Sequence, residues 1–238
     1  MTGSIESTRT VGQLVAERLC RSELFDRYGI DYCCGGSMSL KDACTAAGVD
    51  PEKILQELQA ADADALDTEE IDCEAISMSD LVDHIMTTHH AYLREELPAL
   101  AALLEKVENA HGQTHPEIHE YHQVFLSLRW ELENHMAKEE TILFPCIQQL
   151  EDAQTLPNFH CGTIQNPISA MEHEHNNAGQ ALKRIKELTN DFLPPEDVCA
   201  TCRALLSRLE RFEKDMFRHI HKENNVLFPR AAAKEESL

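Results

Sequence analysis

The chain has 238 residues, with 42 Asp and Glu against 21 Lys and Arg, and a formal net charge of −21. So acidic a chain argues against nucleic acid as a partner. No apolar run is long enough to span a bilayer, the first residues (MTGSIESTRT) lack a signal-peptide core, and nine cysteines, an odd number placed mostly inside helical patterns, suit a reducing cytoplasm better than a disulfide framework.

The length allows one large domain and one small one. Residues 1–60 read as a small helical domain. Thr10 and Gln13 form a capping-box pattern before a helix over Val11–Leu19. Ser39 caps a short helix that runs to Ala47 and is closed by Gly48. Asp50 followed by Pro51 is an N-cap with proline at the first helical position, opening a helix to about Ala60. Between the first two helices lies the loop from Tyr28 to Gly36, which contains Asp31-Tyr32-Cys33-Cys34-Gly35-Gly36. The stretch 61–75, ADADALDTEEIDCEA, carries seven acids and no base and reads as a solvated linker or a frayed helix end.

Residues 76–232 read as four long helices. The first starts near Ser77 or Ser79 and ends near Ala110. The second follows His115-Pro116 and runs to about Gln149. The third follows an Asn166-Pro167 cap and ends near Asn190, and the fourth runs from Pro194-Pro195 to about Phe228-Pro229. Each has an apolar stripe of helical period, such as Phe125, Leu128, Leu132 and Ile142 on the second, or Leu209, Phe212, Met216 and Val226 on the fourth. The fold class is therefore all-α, an up-down-up-down four-helix bundle preceded by the small helical domain.

The second half of the bundle repeats the first. HMAKEETILFP, from His135 to Pro145, recurs 84 residues later as HIHKENNVLFP, from His219 to Pro229. Positions i and i+4 of a helix share a face, roughly 6 Å apart along the axis. His135 with Glu139, and His219 with Glu223, can thus each present an imidazole and a carboxylate to one point. Upstream, Met86, His90, Leu97 and Leu100 match Met171, His175, Leu182 and Ile185 at an offset of 85. This register puts His90 on the inner face and leaves His89 at its border. His90, His135, Glu139, His175, His219 and Glu223 thus interrupt otherwise apolar faces. Satisfied core histidines would explain one such residue but not six at matching heights, since unpaired buried charge costs several kcal/mol. The symmetric solution is two metal ions, each with two imidazoles. Glu139 and Glu223 bridge both ions, together with an oxygen from solvent, and each ion keeps an open position. That is iron or manganese chemistry more than zinc. Glu131 and Asp215 each lie four residues before a histidine of the set; each reads first as a surface acid and second as an acceptor for that histidine's outer ring nitrogen.

The two HxxxE segments with their histidine partners resemble the hemerythrin-like fold. DYCCGG, from Asp31 to Gly36, and ENNVLFPR, from Glu223 to Arg230, resemble more specifically the di-iron proteins that repair iron centres, the RIC family of ScdA or YtfE type. The resemblance runs from about Val11 to Arg230. It implies two non-haem iron ions with an oxygen bridge, held at the positions of His90, His135, Glu139, His175, His219 and Glu223. It also implies repair of iron–sulfur proteins damaged by nitric oxide or peroxide, by supply of iron. Relatives of NorA or DnrN type are linked to nitric oxide, which makes binding, sensing or reduction of nitric oxide to nitrous oxide the alternative. Oxygen-carrying hemerythrins have a second histidine four residues after the one on the third helix, where this chain has Gly179, and their last carboxylate is spaced differently. Oxygen carriage is therefore not the expectation. The chain has no flavin or nicotinamide motif that would feed electrons to a reductase, which favours repair over turnover.

Cys33 and Cys34 are adjacent, and a bridge between neighbours strains the peptide joining them. Gly35 and Gly36 could expose both thiols. With the family resemblance, the pair reads as a transient metal-transfer or docking site, for a partner protein or for a second copy in a homodimer. The bland reading is a tight turn. Cys199-x-x-Cys202 opens the fourth helix without a surrounding βαβ pattern and reads as helix packing.

Overall fold

The computed structural model describes residues 6–64 and 73–238, the side chains of 62–64 excepted. Every regular element among the described residues is helical. The core of the acidic stretch, residues 65–72, lies outside them; the chain is helical up to it and forms a turn after it.

The small domain is built on the expected punctuation. The amide of Gln13 donates to Thr10 Oγ1 (3.2 Å) and the amide of Thr10 to Gln13 Oε1 (3.4 Å), closing the capping box of α1 (Val11–Glu17). Such a cap contributes about 1 kcal/mol. The helix stops at Glu17 because Arg18 is extended, at φ −150°. One 3-10 turn (Leu19–Arg21) then leads into α2 (Ser22–Tyr28), a helix the sequence pattern did not yield. Its signal was Gly29, which ends it in the left-handed conformation at φ 64°. Ser39 caps α3 (Leu40–Ala47), Gly48 closes it at φ 70°, and α4 (Pro51–Asp64) opens where the Asp50 carboxylate accepts the Glu52 amide at 3.0 Å.

Four long helices follow: α5 (78–111), α6 (117–151), α7 (Gln165–Leu188) and α8 (200–236). They form the up-down-up-down bundle. Three boundaries differ from expectation, the first being the start of α8, at Ala200 after the Cys199 N-cap rather than at Pro195. Asn166 lies inside α7, its side chain donating to the Cys161 carbonyl (2.8 Å), and the helix starts at Gln165, two residues before the proline. The fourth helix does not stop at Pro229 but continues to Glu236.

The reason α8 runs past Pro229 is a widened turn. α5, α6 and α8 are each interrupted by one π turn, at Met86–His90, Glu139–Leu143 and Glu223–Leu227. The Phe144 amide reaches back five residues to the Glu139 carbonyl, and the Phe228 amide does the same to Glu223. Prolines 145 and 229 sit in the first turn after these segments, where the helix restarts and a proline is tolerated. A π turn inserts one residue into the register. Past it, Leu143 and Ile147 are buried while Ile142, assigned to the inner stripe by its unbroken period, is 48% exposed.

The bundle core is split in two. One apolar block holds Leu93–Val107, Ile118–Met136, Ala178–Ile185 and Val198–Ile220 positions and merges with the core of the small domain through Val11, Phe25, Tyr32 and Leu40. The other holds Met78–Ile85, Leu143–Leu150, Ile164–Met171 and Val226–Ala231 positions. The histidines and glutamates of the repeat lie between them.

The small domain docks at that level. Asn225, inside the π turn of α8, donates to the carbonyls of Cys33 (3.0 Å) and Tyr32 (3.3 Å). Gly12 and Gly36 clasp the same side chain; a Cβ on either would lie 2.3 or 2.2 Å from Asn225 Oδ1. Alanine ordinarily stabilises a helix over glycine by about 1 kcal/mol. Gly12→Ala should instead lower the thermal unfolding midpoint, because overpacking here costs about 1–3 kcal/mol. Adding Asn225→Ala should recover part of the loss, and a melt in which Gly12→Ala alone is more stable would refute the clasp.

Candidate metal centre

The structure brings His90, His135, Glu139, His175, His219 and Glu223 together, each at most 3% exposed. They form two quartets, His90–Glu139–His219–Glu223 and His135–Glu139–His175–Glu223, whose side-chain nitrogens and oxygens lie within 4.8 Å of one another. The carboxylates are common to both. Glu139 turns Oε2 toward His90 Nε2 (3.3 Å) and Oε1 toward His135 Nε2 (3.2 Å). Glu223 turns Oε1 toward His219 (3.1 Å) and Oε2 toward His175 (3.2 Å). Each glutamate therefore places one oxygen in each quartet.

The outer ring nitrogens orient the imidazoles. His90 Nδ1 meets Glu140 Oε1 at 2.6 Å, His135 Nδ1 meets Glu174 Oε2 at 3.0 Å, and His175 Nδ1 meets Asn224 Oδ1 at 2.8 Å. With acceptors at Nδ1, these rings carry their proton there and aim bare Nε2 lone pairs inward. Sequence reasoning missed all three acceptors, because each comes from a neighbouring helix. The available signal was that each stands beside a member of the set: Glu140 after Glu139, Glu174 before His175, Asn224 after Glu223. The residues considered for this role lie elsewhere. Glu131 is exposed, and Asp215 pairs with His89 (2.9 Å) rather than His219.

His89 is as buried as its neighbour but turned away. Its Nδ1 meets Asp215, its Nε2 accepts from Lys222 Nζ at 2.9 Å, and its ring stacks on that of His219 at 5.3 Å. The same ammonium meets His84 Nε2 at 2.8 Å. Burial lowers His89 to about 4, so it stands as a neutral wall behind His219.

The inner atoms are unsatisfied. Both oxygens of Glu139, Glu223 Oε2 and His90 Nε2 are buried without a hydrogen-bond partner. His135 Nε2 and His175 Nε2 face each other at 3.0 Å, two lone pairs that repel unless something positive lies between. Such a donor set fits divalent or trivalent first-row metal ions. Electrostatics agree. Burial pushes Glu223 up, yet His219 and His175 bring it well below the carboxylate range. Burial would lower His135, but Glu139 and Glu174 raise it to about 10. The carboxylates thus draw in positive charge, as protons when no metal is present.

Cys33 and Cys34 lie against this centre. Asp31 Oδ1 accepts the amides of both (3.0 Å each), folding the loop. The sulfurs are 3.9 Å apart, and Cys34 Sγ is 3.7 Å from the carbonyl oxygen of His175. Gly179, one turn on along α7, leaves room for that thiol; a Cβ there would lie 3.7 Å from the sulfur. One thiol is buried and the other partly exposed. Gly35 and Gly36 keep ordinary φ, allowing close approach to Asp31 and Asn225, while Cys33 is only 4% exposed. Contact with Cys34 and burial raise the Cys33 thiol well above its usual value.

The hemerythrin HHE cation-binding domain matches residues 81–231, and ScdA_N, a domain of unknown function, matches residues 7–62. The iron-sulfur cluster repair protein YtfE of Escherichia coli O157:H7 is 38% identical over 226 residues, 94% of this chain and 97% of that protein. The proteins of the same name from Dickeya chrysanthemi (38% over 224 residues, 94% and 96%) and Enterobacter sp. (36% over 225 residues, 94% and 97%) align over a similar span. The chain belongs to this family. Its bundle is thus a cation-binding domain by descent as well as by donor chemistry. No helix among the described residues is long and apolar enough to cross a membrane.

The raised His135 makes a pH test available on iron-free protein. Its folded-state pKa, about 10, exceeds the unfolded value of about 6.5. Its contribution to stability is complete below pH 6.5 and lost as pH rises through 10. Denaturant titrations should show the metal-free chain losing stability from pH 7 to 10, and His135→Ala should flatten that slope. An unchanged slope would show that His135 carries no such proton.

Proposed function

We propose that this chain repairs iron–sulfur proteins damaged by nitrosative or oxidative stress, holding two iron ions in the bundle and supplying iron to the damaged cluster. The carrying observation is that Glu139 and Glu223 each divide their oxygens between two buried quartets. His90 and His219 would hold one ion, His135 and His175 the other, and both glutamates would span the pair, with a solvent oxygen as the remaining bridge. Bound there, the irons would supply exchangeable metal and one-electron redox capacity.

The chain's own residues set the terms of that exchange. Glu140, Glu174 and Asn224 hold three rings in the tautomer that leaves Nε2 free. The two apolar blocks exclude bulk water above and below. The Cys33–Cys34 loop lies beside His175, where it would receive a departing ion or dock the recipient. Cys33 stays a thiol until a metal displaces its proton, so the pair would bind iron only transiently.

The deciding experiment is a single turnover. Diferrous protein is mixed with a recipient whose cluster has been damaged by nitric oxide and, separately, with nitric oxide alone. Transfer of iron with recovery of cluster absorbance is the expected result; stoichiometric nitrous oxide without transfer would move the assignment to nitric oxide chemistry.

Glu139→Ala and Glu223→Ala should retain less iron than His90→Ala or His175→Ala, since each glutamate serves both ions. Metal analysis showing two irons per chain in the glutamate variants would remove the bridging role. Cys33→Ser with Cys34→Ser should keep most of the bundle iron, read from its near-ultraviolet bands, and slow transfer to the recipient. Transfer at the wild-type rate would reduce the loop to a structural cover.

A further inference from the structure

The end of the bundle away from the histidine–glutamate layer carries a second sulfur pair. Cys199 is the N-cap of α8, 20 positions before His219, which places it roughly 30 Å along the helix from that layer. N-cap positions favour Ser, Thr, Asp and Asn, whose oxygens bond the first amides. Here a cysteine fills the position. Cys199 is exposed, whereas Cys202, in the first turn, is 2% exposed. Cα atoms three residues apart in a helical turn lie about 5 Å from each other, within the Cα span of a disulfide. Cys202 also lines a cavity of about 210 Å³ with Tyr121, Leu188, Leu193, Pro195 and Leu206, and Val198, next to Cys199 in the chain, lines it too.

We propose that Cys199 and Cys202 form a redox-active dithiol that reacts with low-molecular-weight disulfides, Cys199 attacking and Cys202 resolving. The environments divide the roles. The His111 side chain, with the amides of Cys202 and Thr201, lowers the Cys199 thiol to about 6, so at neutral pH it stands mainly as thiolate. Burial, and the charge of Cys199, raise Cys202, which remains a thiol until needed. Other charged and titratable groups at this end are His115 and Glu117 at the start of α6, Asp197 before α8 (3.2 Å from the His115 ring), Arg203 with Glu196, whose carbonyl it meets, and Glu108 with His119 and His122.

In the first step the Cys199 thiolate attacks one sulfur of the disulfide RSSR. A Cys199–S–S–R bond forms, the S–S bond of RSSR breaks, and RS⁻ leaves. Cys202 then releases its proton to solvent and attacks the Cys199 sulfur, forming the Cys199–Cys202 disulfide and expelling the second RS⁻. Two electrons pass from the chain to the small disulfide, which leaves as two thiols once protonated. Cys33–Cys34 does not offer this chemistry on the same terms, since Cys33 is buried with a raised pKa and its neighbour is adjacent in sequence.

The test uses the full iron-loaded chain and glutathione disulfide at pH 7, read by peptide mass mapping. Wild type should show an internal Cys199–Cys202 disulfide and release two glutathiones per chain. Cys202→Ser should stop at a glutathione adduct on Cys199, and Cys199→Ser should show neither product on this peptide. Alkylation of Cys199 in wild type, followed against pH by the same mapping, should have its midpoint near 6, and needs no variant to fold. A persistent adduct in wild type, or a midpoint in the ordinary thiol range near 9 with Cys199 no faster than Cys20, would overturn the proposal.

Discussion

Two carboxylates with no exposed surface sit in the middle of an apolar bundle, and the rest of the molecule is arranged around that fact. An ionised group taken from water into such a place costs several kcal/mol unless positive partners meet it there. Four imidazoles approach Glu139 and Glu223 at 3.1–3.3 Å, yet several of the facing atoms remain without hydrogen bonds. Groups that converge without bonding one another share a missing centre of charge. The helices supply rigidity, the neighbouring acids and amide fix the rings, and the small domain closes one side.

The duplicated HxxxE segments and the 85-residue offset made all six residues legible, because helical period and internal repeat select the same positions. The caps of α1, α3 and α4 were legible for a similarly local reason: a side chain two or three residues away satisfies an amide. What period could not show was its own interruption. A π turn leaves no compositional mark, so Ile142 looked like a core residue and Pro229 like a helix end. The hydrogen-bond acceptors of the histidines were hidden for another reason. Glu140, Glu174 and Asn224 act across helices, and a single chain's spacing says nothing about which neighbour a ring will meet. Asp215 illustrates the trap: it stands one turn from His219 but serves His89 on α5.

The π turn of α8 also ties the two domains to one another. Within three residues the chain aims Glu223 into the bundle, turns Asn224 to the His175 ring and projects Asn225 outward to the small domain. The widened backbone lets consecutive side chains serve three purposes. It also means that the cover over the centre and the donors inside it are fixed by the same turn. A shift of the Cys33–Cys34 loop would be felt at Glu223 through one side chain and two peptide bonds.

The polar layer divides the hydrophobic core into unequal halves, the larger merged with the small domain and the smaller built from the helix ends around Phe144 and Phe228. Cooperative unfolding depends on contact between apolar groups, and here that contact is thinnest across the middle. Without cations the halves meet at a seam of buried charge balanced by protons alone. With cations the same seam joins all four helices. Loading the centre would therefore couple the two halves, and amide exchange in the smaller half would report occupancy through Phe144 and Phe228, whose rings stack on His90 and His175.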